Sequence, residues 1–257
     1  MLNDSNYFSR EMQMKYMSVS QFKSFEKCAA AALADLNGEY PRKETSALLV
    51  GSYVDSYFEG TLDSFKSNHA DTLFKRDGSL KSEYSVAQAV IERIERDEMM
   101  MRYLDAPKQV IMTGVIADVP VKIKVDALHN DKICDLKVMR NFEPVYKPEH
   151  GKMSWIESWG YDLQGAVYQE IVRQNTGERL PFYLVAATKE SEPDIGIFSV
   201  PQEVLDFELE HFAALAPCFS LIKRGVLEAE RCESCEYCRH TKTLKKITTL
   251  GELQIDK

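Results

Sequence analysis

Two aspartates and several lysines occupy strand-like positions in residues 121–138, VKIKVDALHNDKICDLKV, where neutral residues are more usual. If the chain reverses at the turn-prone Asn-Asp pair, antiparallel pairing places Asp126 opposite Asp135 on one face. Directly opposed carboxylates repel each other unless a cation lies between them. Hard divalent ions bind such oxygens, so these aspartates and Lys137 could hold Mg²⁺ and activate water. The alternative is a solvated face with surface salt bridges.

The two faces of this predicted hairpin differ sharply. The charged face also carries Lys122 and Lys124, and the same pairing places Lys124 opposite Lys137. The other face is apolar, so we expect it to cover a core. Its members are Val121, Ile123, Val125, Ala127, Cys134, Leu136 and Val138.

Two predicted helices could bring further side chains to this site. Gly51, Asp55 and Glu59 are four residues apart in GSYVDSYFEG, so a helix places both carboxylates on one face, where they could bind a metal ion. An exposed acidic stripe is the alternative. Gln164 and Tyr168 lie one turn apart in GYDLQGAVYQEI and could offer an amide and a phenol to a phosphate or a base edge. They could equally form a buried, hydrogen-bonded pair.

A basic and aromatic segment precedes the second of these helices. Lys147, Lys152, Trp155 and Trp159 lie in a predicted loop, residues 140–155, and in the helix start that follows it. Basic groups interleaved with aromatic rings can bind a nucleic-acid backbone and stack on bases. A solvated loop packed on its own aromatic side chains is the alternative.

Three cysteines follow a C-x2-C-x2-C pattern in CESCEYC: Cys232, Cys235 and Cys238. Cysteines at this spacing bridge each other poorly but converge readily on one metal ion or cluster. Cys28 is the first candidate for a fourth ligand, ahead of Cys218 and His240. The pattern favours an iron–sulfur cluster over zinc, and free thiols are the alternative.

Length and composition predict an ordinary globular protein. Its 257 residues are 44% hydrophobic and 28% charged, with a net charge of −8. This acidity argues against broad polyanion binding and leaves local basic patches. We find no repeat or linker, so we expect a single domain over residues 1–257, with an N-terminal helical region and a C-terminal extension that contains the cysteines. Without a signal sequence or membrane-length apolar run, a cytoplasmic location is expected.

Sequence patterning predicts an α+β fold, with a central mixed β-sheet flanked by α-helices. Helices are expected over residues 18–36, 46–60, 82–104, 156–174 and 201–225. Pro217 should kink or break the last of these helices. Strands are expected over residues 109–116, 121–128, 133–138, 181–189 and 195–200.

Taken together, these motifs resemble the PD-(D/E)XK nuclease superfamily, especially its RecB-like and RecE-like phage exonucleases, over residues 16–245. Asp126 matches the first acidic metal ligand of that family. Asp135 to Lys137 matches its D-x-K strand. The helix with Asp55 resembles the upstream G-x3-H…E helix, although an aspartate stands at the histidine position.

Two further matches support this resemblance. Gln164 and Tyr168 match a Q-x3-Y helix motif that RecB-like members place beside the active centre to engage the substrate strand. An N-terminal cysteine with a C-terminal cysteine group resembles the iron–sulfur arrangement of the AddB and CRISPR-associated branches. The C-terminal spacing here is tighter than in those branches. The candidate ligands are Cys28, Cys232, Cys235 and Cys238.

The resemblance implies a restriction-endonuclease-like core and a deoxyribonuclease that depends on Mg²⁺ or Mn²⁺. Lys137 would orient the attacking water and stabilise developing negative charge. The metal ligands would be Asp126, Asp135 and the Leu136 carbonyl, with Asp55 or Glu59 completing the shell. The DNA contacts would be Gln164, Tyr168, Lys147 and Lys152.

The implied biology is digestion of linear double-stranded DNA in phage-type recombination. A single-strand annealing protein would be the partner, and a homo-oligomer would complete a local basic groove. One alternative is an endonuclease on the same fold, which would also cut closed circles. Another is a non-catalytic DNA-binding or assembly module with a cysteine metal site.

Overall fold

The fold consists of a five-stranded sheet, a two-stranded ribbon and helices around them. The structure is a computed structural model that describes residues 2–41, 45–148, 150–244, 246, 247 and 249. The helices are α1 Arg10–Lys15, α2 Val19–Lys27, α3 Ala29–Asn37, α4 Ser46–Glu59, α5 Leu62–Asn68, α6 Ala70–Leu73, α7 Ser82–Glu95, α8 Glu98–Leu104, α9 Trp155–Ser158, α10 Tyr161–Thr176, α11 Gln202–Lys223 and α12 Glu236–His240. The strands are β1 Lys108–Ile116, β2 Val119–Leu128, β3 Ile133–Met139, β4 Val145–Lys147, β5 Gly151–Met153, β6 Phe182–Thr188 and β7 Ile195–Ser199. Among the described residues, no helix combines the length and apolar character needed to cross a membrane.

The central sheet has the strand order β1-β2-β3-β6-β7, in which β3 pairs with β6 in parallel and the other neighbours are antiparallel. The connection from β3 to β6 includes α10, as a parallel crossover requires. One apolar core contains residues of α2, α3, α10 and α11, and the other contains residues of α4, α7 and α8. This architecture confirms the predicted α+β fold, a mixed sheet flanked by helices.

Strands β2 and β3 separate soon after the turn that joins them. The ladder keeps the predicted register for two pairs, Ala127 with Cys134 and Leu128 with Ile133. The pairs expected next do not belong to the described ladder: Asp126 with Asp135, and Lys124 with Lys137. Instead, the Asp126 carboxylate accepts a hydrogen bond from the backbone N–H of Leu136 at 3.0 Å. A side chain thus replaces the backbone partner and opens a gap between the strands.

The apolar face predicted for this hairpin is divided between the two cores. The core with α10 contains Val121, Ile123 and Val125, whereas the core with α4 contains Ala127, Cys134 and Leu136. The prediction of one continuous covering face is wrong, because the strands twist and separate so that different parts of the hairpin meet different helices.

Three predicted helices are interrupted. The first divides at Cys28, whose extended backbone (φ −167°, ψ 104°) separates α2 from α3. The third divides at Asp97, whose carboxylate accepts hydrogen bonds from the backbone N–H groups of Met99 and Met100 in the first turn of α8. The fourth divides at Gly160, whose left-handed backbone (φ 61°) separates α9 from α10. The predictions of three continuous helices were wrong, because capping and special backbone angles at these residues outweighed helix propensity.

The last predicted helix continues through Pro217, as α11. A proline inside a helix removes one hydrogen bond and typically costs about 3 kcal/mol. Phe212 and Phe219, on either side of it, stack against Phe22 and Phe25 of α2. This packing holds the helix together across the proline, so the predicted break is absent from α11.

Two buried lysines hold the N-terminal segment in place. Lys122 is 1% exposed and donates to the Tyr7 carbonyl. Lys223 is 6% exposed and donates to the carbonyls of Gln13 at 2.7 Å and Tyr16 at 2.8 Å. Burial lowers the pKa of each ammonium group to about 8.

Lys223→Met should reduce the pH dependence of stability above neutral pH. A lysine with a lowered pKa in the folded protein costs stability while both states are charged, and this cost disappears as pH rises from about 8 to about 10.5. Over pH 8 to 10, we expect the free energy of unfolding to rise less in Lys223→Met than in the wild type, by on the order of 2 kcal/mol. Urea unfolding at several pH values measures this difference. The control is Lys75→Met at an exposed site, and equal slopes in all three proteins would contradict the prediction.

Helix α10 lies unusually close to the sheet at Gly165. A β-carbon at this position would lie 2.5 Å from Cδ1 of Phe182, a buried residue of β6. Such a contact requires the ring or the helix to move. Glycine therefore sets the distance between α10 and the sheet, and with it the reach of Gln164 towards β3.

Gly165→Ala should destabilise the protein by about 1–3 kcal/mol because it overpacks this contact. The matched control is Gly51→Ala in α4, where a β-carbon meets nothing within 4 Å. That change should stabilise the protein by up to about 1 kcal/mol, because alanine favours helix more than glycine does. Thermal unfolding of both variants measures the difference. Stabilisation by Gly165→Ala would show that the close approach does not constrain α10.

Candidate active site

Asp126 is held at the gap between β2 and β3 by two hydrogen bonds. Its Oδ2 accepts from the Leu136 N–H at 3.0 Å, and its Oδ1 accepts from Gln109 Nε2 at 3.2 Å. Gln109 has a φ of 52°, a left-handed conformation that is uncommon for a residue with a side chain. Such strain is often found beside functional groups. Here it accompanies an amide that is directed at Asp126.

Asp135 on β3 is 1% exposed and has two different partners. Gln164 of α10 donates to its Oδ1 at 2.7 Å, and Lys137 forms an ion pair with its Oδ2. That Oδ2 has no hydrogen bond of ordinary geometry among the described residues. Burial raises the pKa of Asp135 to about 7, with a contribution from Asp126, although Lys137 opposes the shift. A nearby cation would stabilise this carboxylate.

Helix α4 brings two further carboxylates to the same gap. Asp55 and Glu59 line a small pocket together with Asp126 and Leu136. Partial burial raises the pKa of Asp55 well above its usual range, and the Asp126 charge adds to the shift. Partial burial also raises the pKa of Glu59. Several acidic groups therefore share one poorly solvated space.

Two lysines lie near the Tyr161 ring at the α10 side of the gap. Lys137 Nζ lies 5.1 Å from the ring centroid, and Lys23 Nζ lies 5.4 Å from it. Burial disfavours charge on Lys137, but Asp135 and Asp126 more than offset this and raise its pKa. Burial and the Lys137 charge lower the pKa of Lys23 to about 8. Lys137 is thus kept as an ammonium group.

Gln164 and Tyr168 fasten α10 to the two separated strands. Gln164 binds the Asp135 carboxylate of β3, and the Tyr168 hydroxyl donates to the Lys124 carbonyl of β2 at 3.0 Å. Burial raises the pKa of Tyr168 well above its usual range, as does the Asp135 charge. Both groups therefore bind protein atoms beside the gap, and their contact with a phosphate or a base stays a prediction.

The predicted basic loop contains the ribbon of β4 and β5. Tyr146 pairs with Lys152 across the ribbon, and both side chains are exposed. Lys147 donates to a backbone carbonyl at the end of α9 at 2.7 Å. The exposed Trp159 follows α9, and its carbonyl accepts from Lys23 at 3.0 Å. The ribbon is thus connected to the lysine that borders the gap.

The four cysteines predicted as ligands meet at a second place, where the end of α2 approaches α12. All four Sγ atoms lie within 4.8 Å of one another, with Cys28 and Cys238 at 3.6 Å and Cys232 and Cys238 at 4.0 Å. The fourth is Cys235, and all these thiols are free. Hydrogen bonds from Ser234 lower the pKa of Cys232 to about 5, while burial raises that of Cys238 to about 12.

Comparisons with known proteins agree with this arrangement. The sequence profile of a family described as a PDDEXK-like domain of unknown function (DUF3799) matches residues 18–241. The chain belongs to this PD-(D/E)XK nuclease family. A search of curated proteins found no match. Among solved structures, it is similar to a protein from Eubacterium rectale that is provisionally named an exonuclease, with 43% identity, a TM-score of 0.95, and coverage of 100% of this chain and 99% of that chain.

PD-(D/E)XK nucleases use divalent metal ions, and the donors at the gap fit such an ion. Asp55, Asp126 and Asp135 supply carboxylate oxygens and Leu136 a carbonyl, the ligands that hard cations prefer. The buried Oδ2 of Asp135 pairs with Lys137 but has no hydrogen bond of ordinary geometry within the described part of the chain, so it lies where further positive charge would be favourable.

Sequence reasoning missed three residues of this PD-(D/E)XK site: Gln109, Lys23 and Tyr161. The hydrogen bond from Gln109 to Asp126 depends on a left-handed backbone conformation, which no local sequence motif predicts. Lys23 and Tyr161 meet only because α2 packs on α10. Glycine before Tyr161 was a usable signal, since it marks the start of the helix that contains Gln164.

Asp55→Asn should stabilise the protein in the absence of divalent ions, because it removes one of several like charges in a poorly solvated space. We expect a rise of about 1 kcal/mol, which corresponds to about 2–4 °C in the thermal midpoint. Mg²⁺ should then raise the midpoint of the wild type more than that of Asp55→Asn. Thermal unfolding with and without Mg²⁺ measures both effects, with the exposed Glu83→Gln as control. A lower midpoint for Asp55→Asn without Mg²⁺ would count against the prediction.

Proposed function

We propose that this protein is an exonuclease that depends on Mg²⁺ or Mn²⁺ and hydrolyses phosphodiester bonds of linear double-stranded DNA. The observation that carries the proposal is the convergence of Asp126, Asp135 and Lys137 at the gap between β2 and β3. A structural ion pair needs one acid and one base. Here Asp55 and Glu59 add carboxylates that an ion pair with Lys137 does not require. A cleft with more acidic groups than its ion pairs require is typical of a functional site.

The metal would be held by carboxylates from two strands and one helix. Its ligands would be Asp126, Asp135 and the Leu136 carbonyl, with Asp55 or Glu59 completing the shell. The chemistry that such an ion supplies is neutralisation of phosphate charge and a lower pKa of water at the site.

Lys137 would position the attacking water and stabilise the negative charge that develops on the phosphate. Its ammonium group stays protonated because Asp135 and Asp126 raise its pKa. Its Nζ also donates to the Leu136 carbonyl at 3.3 Å, and the Tyr161 ring covers one side of it. These contacts leave the ammonium group few orientations, which favours a fixed geometry for attack.

The DNA strand would reach the gap along the ribbon and α9. Exposed rings of Tyr146 and Trp159 offer surfaces for base stacking, and Lys23 adds charge between them and the gap. The proposed contacts are Lys147, Lys152, Gln164 and Tyr168. Because the chain has a net charge of −8, such a local basic path is needed for a polyanion to bind.

The proposed biology is exposure of a single strand for a phage-type annealing protein, with a second copy of the chain completing the basic groove. We also propose that the chain acts as one nuclease domain, in the cytoplasm, where its cysteines would remain reduced. These details rest on the resemblance to RecB-like and RecE-like exonucleases and on the provisional name of the Eubacterium rectale protein.

Lys137→Ala and Asp135→Ala should each reduce hydrolysis of linear duplex DNA by at least about 10²-fold in Mg²⁺, because they remove charge stabilisation at the reacting phosphate. Release of nucleotides from end-labelled DNA measures the rate, beside a covalently closed circle. Lys132→Ala is the matched control, since this lysine pairs with Asp131 at the hairpin turn, away from the gap.

Three outcomes distinguish the alternatives. Digestion of the linear substrate alone, lost in both site variants and kept in Lys132→Ala, would support the exonuclease. Cutting of the closed circle would favour an endonuclease on the same fold. Binding of DNA without hydrolysis in Mg²⁺ or Mn²⁺ would favour a non-catalytic module.

A further inference from the structure

The cysteine group joins two parts of the chain that are far apart in sequence. Cys28 and Cys238 are separated by 210 residues, yet their sulfurs lie 3.6 Å apart. Cys28 stands at the extended break between α2 and α3, and its thiol approaches Cys238 of α12. The interruption in the helix thus supplies the fourth sulfur.

The distances between the sulfurs distinguish a single ion from an iron–sulfur cluster. Tetrahedral zinc has Zn–S bonds of about 2.3 Å, which places its thiolates about 3.8 Å apart. The distances of 3.6 Å and 4.0 Å bracket this value, and all four sulfurs lie within 4.8 Å of one another. A four-iron cluster binds each thiolate through a different iron at its outer surface, so its cysteine sulfurs lie several ångströms farther apart.

The loop that carries the three C-terminal cysteines is shaped to support thiolates. The backbone N–H of Cys235 donates to Cys232 Sγ at 3.3 Å, and the N–H of Cys238 donates to Cys235 Sγ at 3.4 Å. Glu233 has a left-handed backbone (φ 57°), which makes the tight turn that points these N–H groups at sulfur. Arg231 donates to the Cys238 carbonyl at 2.7 Å and adds positive charge beside the group.

We propose that Cys28, Cys232, Cys235 and Cys238 bind one Zn²⁺ ion in a closed tetrahedral site. Binding is a ligand exchange without oxidation or reduction, in which the thiols lose their protons to solvent and four thiolates coordinate the ion. Four protein ligands leave no position open for water, so the site is structural rather than catalytic.

The zinc site fixes the helix that borders the active site. Lys23 lies on α2, five residues before Cys28, and reaches the Trp159 carbonyl and the Tyr161 ring. Without the metal, the segment around Cys28 would be held by weaker contacts, which include the hydrogen bond from the Ala30 N–H of α3 to the Glu230 carbonyl at 2.9 Å. The ion therefore supports the basic side of the gap from a distance.

Metal analysis of the full chain, purified without oxygen, tests the proposal directly. We expect about one zinc per chain and no absorption in the visible range. Exchange for Co²⁺ should give thiolate charge-transfer and tetrahedral d–d bands. Iron with inorganic sulfide would overturn the proposal, as would a metal-free protein with four freely titrating thiols.

Single substitutions then assign the ligands. Cys28→Ser and the exposed Cys232→Ser should each lose zinc to a competing chelator at least about tenfold more readily, and unfold at a lower temperature. The matched control is Cys218→Ser, an exposed cysteine of α11 outside the group, which should keep wild-type zinc affinity. Full zinc retention in Cys232→Ser would contradict a four-cysteine site.

These readouts do not use DNA or Mg²⁺, so they are independent of the proposed nuclease activity. A protein that holds zinc but hydrolyses nothing would contradict the nuclease proposal alone. A protein that hydrolyses DNA but holds iron and sulfide would contradict the zinc site alone.

Discussion

The hydrogen bond from the Leu136 N–H to the Asp126 carboxylate is the interaction on which the candidate active site depends. In a regular ladder, this N–H would bind a backbone carbonyl of β2. Because a side chain accepts it instead, the strands separate without leaving a buried donor unpaired. Gln164 and Tyr168 of α10 bind the two strands on either side of the opening. A sheet interior thereby becomes a cleft that can hold acidic groups beside Lys137.

Charge changes sign across this cleft. Asp55 and Asp135 have raised pKa values because they share poorly solvated space with Asp126. Near the Tyr161 ring, Lys23 has a lowered pKa because it is partly buried near a second ammonium group. The acidic side suits cations and the basic side suits phosphates, so an acidic protein can present a local surface for a polyanion.

Local spacing predicted several of the residues that meet at the candidate site, while tertiary contacts determined their geometry. Helical periodicity correctly placed Asp55 and Glu59 on one face, and hairpin register correctly paired Ala127 with Cys134. The strand separation was not predictable, because it depends on one carboxylate outcompeting a backbone carbonyl for a donor. The positive φ of Gln109 likewise arises from contacts between distant segments. Such features depend on tertiary packing, so residue spacing does not predict them.

Because 210 residues separate Cys28 from Cys238, the ribosome makes the two cysteines at different times. At a synthesis rate of about 5–20 residues per second, the ribosome needs roughly 10–40 s to make the chain between them. Throughout that interval α2 lacks its distant anchor, whatever else has already folded. The support that the proposed zinc site gives to the basic side of the cleft is therefore completed late, when the C-terminal cysteines have left the ribosome. The nascent chain therefore contains the acidic residues of the site before it contains the cysteines that would support the basic side.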